Sequence, residues 1–202
     1  MAYPRHIQRI IEYFSSLPGI GPRQATRFAY SLLEKDPAFI KEFASSLSLL
    51  TDEISTCAQC FRTMEKTANP LCDICRSSSR DATKILIVER ESDVQAFEST
   101  GMYNGVYHLL GGTISALEPN PGDKLRLREL FERIKNYPER EKVEAIVATS
   151  NTLEGNQTAN YIQKILEPLG IKTTRLGRGL STGTEIEYAD PLTLENAFKN
   201  RK

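Results

Sequence analysis

Cys57, Cys60, Cys72 and Cys75 are the only cysteines of the 202-residue chain, and they form two CxxC pairs with residues 61–71 between them. Two such knuckles can surround one Zn²⁺ with a tetrahedron of thiolates, leaving no position for water or substrate. The expected role is structural: metal binding helps to fold a stretch poor in apolar side chains and staples the segments on either side of it. Redox chemistry fits less well, because a redox CxxC usually comes singly. An iron cluster shares the ligand type, but nothing near the cysteines points to electron transfer.

A second chemistry is carried by "LPGIGPRQATRF", residues 17–28. Gly19 and Gly21 reach the backbone conformations of a tight turn at little cost, and Pro22 suits the first turn of a helix. The amides of Ile20 and Gly21 are then expected to face outward at a helix start, where N–H groups and the helix dipole hold an anionic oxygen. Arg23 and Arg27, four residues apart, would extend that contact along a nucleic-acid backbone. Such binding is independent of base sequence and sensitive to salt. The alternative is a plain helical hairpin whose arginines form a solvated face.

The carboxylates offer less. Glu89 closes the apolar run "ILIVE" and Glu154 follows "VEAIVAT", and the C-terminal ends of strands are where open α/β sheets present their chemistry. Acidic groups sharing a Mg²⁺ support phosphoryl transfer, but Thr149-Ser150-Asn151 supplies no aspartate pair. A working catalytic metal is therefore not expected, while a weak Mg²⁺ contact at Glu89 stays open. His6 and His108 are too far apart in sequence to be linked by inspection, and His108, inside a strand, reads as a hydrogen-bonded or sheet-surface histidine in preference to a ligand. The chain has no GxxxxGK[ST] loop and no GxGxxG following a strand, so neither P-loop nor dinucleotide binding is indicated.

The elements that must position these residues change character along the chain. Segment 4–17 repeats Ile7, Ile10, Ile11 and Phe14 on one helical face and is expected to end near Ser15-Ser16. In the helix from Pro22, Ala25, Phe28, Ala29, Leu32 and Leu33 form the buried stripe, with Arg23, Arg27 and Tyr30 opposite. A third helix from about Pro37 is expected to bury Phe39, Ile40, Phe43, Leu47 and Leu50. Three helices of this size make a small core that calls for a neighbour. From Lys84 onward strands and helices alternate: "ILIVE", "GVYHLL", "VEAIVAT" and "IKTTRL" read as strands. The helices between them are "SDVQAFESTG", a span from about Asp123 to Asn136, and "NQTANYIQKILEPLG", with a short last helix after Pro191. That alternation argues for a mostly parallel sheet covered on both faces.

Bulk properties bound the reading. The length permits one domain or two small ones. Lys+Arg and Asp+Glu are 26 each, so no global field announces a polyanionic partner. A local phosphate-contacting face remains compatible with that balance. No apolar run approaches the roughly 20 residues of a membrane span, and "MAYPRHIQ" lacks the pattern of a secretory signal, so a cytoplasmic location is expected.

With these parts in view, nearly the whole chain resembles the RecR family of bacterial recombination proteins. The resemblance is carried by "LPGIGPRQATRFAYSLL", "CAQC" through "CDICRSSSRD", "ILIVERESDVQAFESTGMYNGVYHLLGG" and "TRLGRGLSTGTEIEYADPLTLENAF", in the family's order. It implies a multidomain α/β protein: a helix-hairpin-helix domain over 1–53, a four-cysteine zinc finger over 54–78, a Toprim domain over 79–176, and a C-terminal oligomerisation segment over 177–202. Gly19, Ile20, Gly21, Arg23 and Arg27 would face DNA, the four cysteines would hold one zinc, and Glu89 matches the Toprim glutamate. Arg90, Arg178 and Ser181 stand where relatives commonly carry other residues. The resemblance further implies dimers or tetrameric rings that surround double-stranded, gapped or junction DNA. It also implies work with RecO, and with RecF where present, to help RecA replace single-stranded-DNA-binding protein, in the cytoplasm near the nucleoid. The RecO contact would lie on the Toprim face around Glu89. Two other readings compete with this non-enzymatic one: a Mg²⁺-dependent Toprim nuclease or phosphoryl transferase, and a structural adaptor that binds no DNA.

Overall fold

The computed structural model describes residues 3–115 and 124–201. The chain divides into two compact units, Met1–Ile54 and Ser55–Lys202.

The first unit is helical, with α1 (Arg5–Ser15), α2 (Pro22–Leu33) and α3 (Pro37–Glu53). Proline occupies the opening turns of α2 and α3, where its missing N–H costs nothing, and the Asp36 carboxylate caps α3 by accepting the Ala38 amide at 2.7 Å. The α1 and α2 faces meet around buried Ile11, Ala25 and Ala29, with Ile7, Phe14 and Ile20 packed against them. Phe14 and Phe28 add an edge-to-face ring contact at 5.4 Å. Two expectations fail here. Leu33 is 64% exposed, and α3 buries none of its residues, leaving Phe39, Phe43, Leu47 and Leu50 exposed. The α1 and α2 stripes pack on each other, and nothing among the described residues of this unit covers the apolar side of α3.

The second unit begins with a two-stranded sheet, β1 (Ile54–Thr56) and β2 (Thr63–Glu65), and a one-turn helix α4 (Asp73–Arg76). It continues with β3 (Asp81–Val88), α5 (Glu91–Thr100), β4 (Gly105–Leu109), α6 (Leu127–Lys135), β5 (Glu144–Ala148), α7 (Leu153–Leu166), β6 (Lys172–Arg175) and α8 (Pro191–Lys199). The four longer strands form one sheet in the order β4-β3-β5-β6, parallel throughout. Ile85, Leu86, Ile87 and Val88 of β3 are all buried, as a strand between two neighbours and beneath helices requires. Their register sets Val88 beside Leu109 of β4 and Ala148 of β5, which brings the C-terminal ends of the three strands together. Helix α6 starts at Leu127; the expected start at Asp123 lies outside the described residues. Helix α7 starts before the expected Asn156, because Thr152 caps it by accepting the Gly155 amide at 3.1 Å. Among the described residues no helix is long and apolar enough to cross a membrane.

Candidate metal centre and nucleic-acid interface

The four cysteine sulfurs lie within 4.8 Å of one another, and Cys60 Sγ stands 3.6 Å from Cys72 Sγ. A tetrahedral zinc with Zn–S bonds of about 2.3 Å spaces its sulfurs roughly 3.8 Å apart, so the cluster fits such an ion. The Cys72 amide donates to Cys57 Sγ at 3.3 Å, the kind of outer contact that orients a metal ligand. The hydrogen bond with Cys72, then that with Cys75 and burial, push the Cys60 thiol far up, while the same pairing holds Cys72 down. Neighbouring thiols thus resist ionising together, and a full set of thiolates needs a cation's charge among them.

What fixes the first knuckle is its seat on the sheet. Phe61 adopts a left-handed backbone with φ 65°, rare for a bulky side chain. Its ring meets His108 edge-on at 5.4 Å and lies under the Arg126 guanidinium at 5.2 Å. The Leu109 amide of β4 donates to the Cys60 carbonyl at 2.8 Å. Arg133 Nη1 donates to the carbonyls of Gln59 at 3.2 Å and Tyr107 at 2.6 Å, bridging knuckle and strand. Burial pulls the Arg133 pKa down and the nearby thiols oppose that pull. No carboxylate among the described residues pairs with Arg133, so a doubly negative zinc tetrathiolate would be its counter-charge. On the other side, Glu91 of α5 accepts from Arg62 Nε at 3.1 Å and from the Thr63 amide at 3.0 Å. The cysteines consequently share one hydrophobic core with β3, β4 and β5.

The hairpin turn presents a different surface. Gly19 is left-handed at φ 78°, whereas Gly21 is an ordinary extended N-cap. The Ile20 amide, expected to face outward, instead donates to the Leu17 carbonyl at 3.2 Å, and its side chain joins the small core. The left-handed residue at 19 folds the chain back far enough to close that bond. Among the described residues the amides of Gly21, Arg23 and Gln24 have no acceptor. A Cβ added at Gly21 would meet nothing within 4 Å, so the approach to these donors is open. Arg23 and Arg27 are exposed on α2 and neither pairs with a carboxylate among the described residues.

Glu89, at the end of β3, is only 5% exposed. Its Oε1 accepts the Ser150 amide at 2.6 Å and its Oε2 the Ser150 hydroxyl at 2.7 Å, so both carboxylate oxygens are engaged by one residue after β5. Gly155 is needed beneath this contact, since a Cβ there would stand 2.1 Å from the Ser150 carbonyl oxygen and 3.2 Å from Glu89 Oε1. Glu154 is exposed in the first turn of α7 and does not share this site. The four cysteines are the one cluster of three or more His, Cys, Asp or Glu ligands among the described residues. His108 Nε2 lies 2.8 Å from the Arg126 carbonyl oxygen, and burial lowers its pKa to about 3, so the ring is neutral. His6 is exposed on α1, within the other unit.

Sequence reasoning misses the roles of Ser150, Phe61 and Arg133. Arg133 alone leaves a signal, lying three residues after Leu130 on the flank of the buried α6 stripe.

A helical hairpin with free first-turn amides and a parallel sheet with a four-cysteine module docked on it define a multidomain protein of the helix-hairpin-helix and Toprim class. The chain matches the families described as "RecR, helix-hairpin-helix" over residues 7–50, "Toprim domain" over 83–177 and "RecR, C-terminal" over 179–202. "Recombination protein RecR" of Lactococcus lactis subsp. lactis is 42% identical over 201 residues, covering 100% of this chain and 98% of the relative. The proteins of the same name from Streptococcus gordonii and Chloroherpeton thalassium are 43% and 39% identical, over the same shares of both chains. The chain belongs to the RecR family of recombination proteins.

Proposed function

We propose that this protein is a non-catalytic mediator of recombinational DNA repair that binds DNA without regard to sequence. The observation that carries this reading is α2, whose first turn leaves the amides of Gly21, Arg23 and Gln24 unclaimed among the described residues and whose surface carries the exposed Arg23 and, one turn on, Arg27. Backbone N–H groups at a helix N-terminus hold phosphate oxygens, and the arginines add contacts further along the strand. Gly19 shapes the turn, Gly21 leaves room for the phosphate, and Ile20 anchors the loop through its side chain.

One structural zinc per chain, held by Cys57, Cys60, Cys72 and Cys75, completes the module on the sheet. Glu89 acts by tying the ends of β3 and β5 together through Ser150, and its engaged oxygens favour this role over Mg²⁺ binding. A RecO-type partner would contact the surface around it, with RecF where present and RecA as the protein finally loaded. The exposed apolar faces of α3 and of the C-terminal segment, including Ile186, Leu192 and Phe198, support a homo-oligomer, dimer or tetrameric ring. Multiplying a few phosphate contacts by subunit number gives an affinity that one hairpin lacks. The site of action is the bacterial cytoplasm, at the nucleoid.

The test is fluorescence anisotropy on a labelled gapped duplex across a salt series. Affinity should fall steeply with salt, and the double substitution Arg23→Ala with Arg27→Ala should weaken binding roughly tenfold or more at low salt. Unchanged binding by the double variant would remove the assigned DNA face.

A further inference from the structure

Beyond the ends of β5 and β6 a cavity of about 190 Å³ opens between Val147, Thr149, Asn151, Arg175, Gly177 and Arg178. Its two arginines are held by neutral groups. Arg175 Nη2 donates to Asn160 Oδ1 and Gln163 Oε1 on α7, both at 2.7 Å, and Arg178 Nη2 donates to Asn156 Oδ1 at 2.5 Å. Among the described residues neither forms an ion pair with a carboxylate. Arg175 Nε is buried with no hydrogen-bond partner, although a guanidinium taken out of water normally finds an acceptor for each N–H. Burial, and then the charge of Arg178, pull the Arg175 pKa down, so the two cations oppose each other.

Two like charges held beside one cavity by neutral amides, with no carboxylate paired to either among the described residues, suit an anion as their counter-charge. Asn151 adds to the donors. Its Oδ1 accepts from Asn156 Nδ2 at 3.4 Å, which turns its own NH₂ away from that contact. No aromatic side chain lines the cavity, so nothing there would stack a base or a nucleoside. We propose that this cavity binds a phosphate group between Arg175 and Arg178, with Asn151 as a third donor. The phosphate belongs either to the free anion or to a nucleic-acid backbone. The inference stands apart from the DNA face assigned to the hairpin.

The test follows the Arg175 Nε–H resonance of the full-length, zinc-loaded chain by ¹⁵N NMR as sodium phosphate is added, against sodium chloride at matched ionic strength. The expected result is a saturable shift with phosphate and none with chloride. Arg178→Gln should weaken phosphate roughly tenfold while keeping its zinc. Arg175→Lys, which keeps the charge but loses Nε–H, is followed through the Asn151 side-chain resonance and should weaken it as well. A short oligothymidylate added to the Arg23→Ala, Arg27→Ala chain separates the sources. A matching shift identifies backbone phosphate as the ligand, and a response to inorganic phosphate alone identifies the free anion. A shift that chloride reproduces, or one that Arg178→Gln leaves unaltered, overturns the proposal.

Discussion

Among the described residues of Met1–Ile54 three side chains are buried, two of them alanines, whereas in Ser55–Lys202 one core runs from Cys57 through β3, β4 and β5 to Leu166 of α7. The first unit spends its sequence on a surface: a turn, three unclaimed amides and two arginines. The second spends its sequence on interior, down to a buried arginine between a cysteine knuckle and a strand. Free amides need exposure and a tetrathiolate centre needs enclosure, and each unit carries the amount of core that its own chemistry tolerates.

The strongest way to break this contrast is to remove the enclosure. Cys60→Ser should abolish zinc binding, read by elemental mass spectrometry, and destabilise the second unit by more than about 4 kcal/mol, the range expected for loss of a structural metal. The α1 and α2 amides should keep their hydrogen-exchange protection. A variant that melts like the parent would mean that the knuckle is an appendage and no part of the core. Ile11→Ala tests the other side, with an expected cost of about 2–5 kcal/mol for a large-to-small change. Faster amide exchange should be confined to α1 and α2, and an equal change in β3 would show that the units share their stability.

The smallest effect sharpens the picture of the interior. His108 is neutral in the folded state with a pKa depressed to about 3, while in the unfolded chain it takes a proton near its ordinary 6.5. Stability is therefore lost as pH falls between these values, with a slope of up to about 1.4 kcal/mol per pH unit from this residue. His108→Gln keeps a donor toward the Arg126 carbonyl and should flatten the slope by that amount in urea titrations from pH 6.5 to 4. An unchanged slope would mean that the ring is reached by water.

The sequence is most legible where one short pattern carries the whole constraint. CxxC spacing locates the four-cysteine cluster, and the apolar run at residues 85–88 locates the central strand, because each needs only neighbours in the chain. The Glu89–Ser150 contact is hidden because it joins residues 61 apart through register, and a serine after a strand has many other uses. The apolar stripe of α3 is legible as a stripe, and its exposure is not. Periodicity says that a face is apolar and is silent on whether the same unit holds anything to cover it. The Ile20 amide defies expectation because the hydrogen bond inside the turn depends on which glycine is left-handed, and the pattern "PGIG" permits either.

The seat of the first knuckle also bears on how the chain is made. Gln59 and Cys60 leave the ribosome well before Leu109 and Arg133, whose side chain reaches the Gln59 carbonyl across 74 positions. Through that interval the cysteines are in place without the strand that shapes them, open to oxidation or to the wrong ion. The final seat of the knuckle therefore has to wait for translation of α6, so the order of synthesis makes the docking of the cysteines on the sheet a late step of folding.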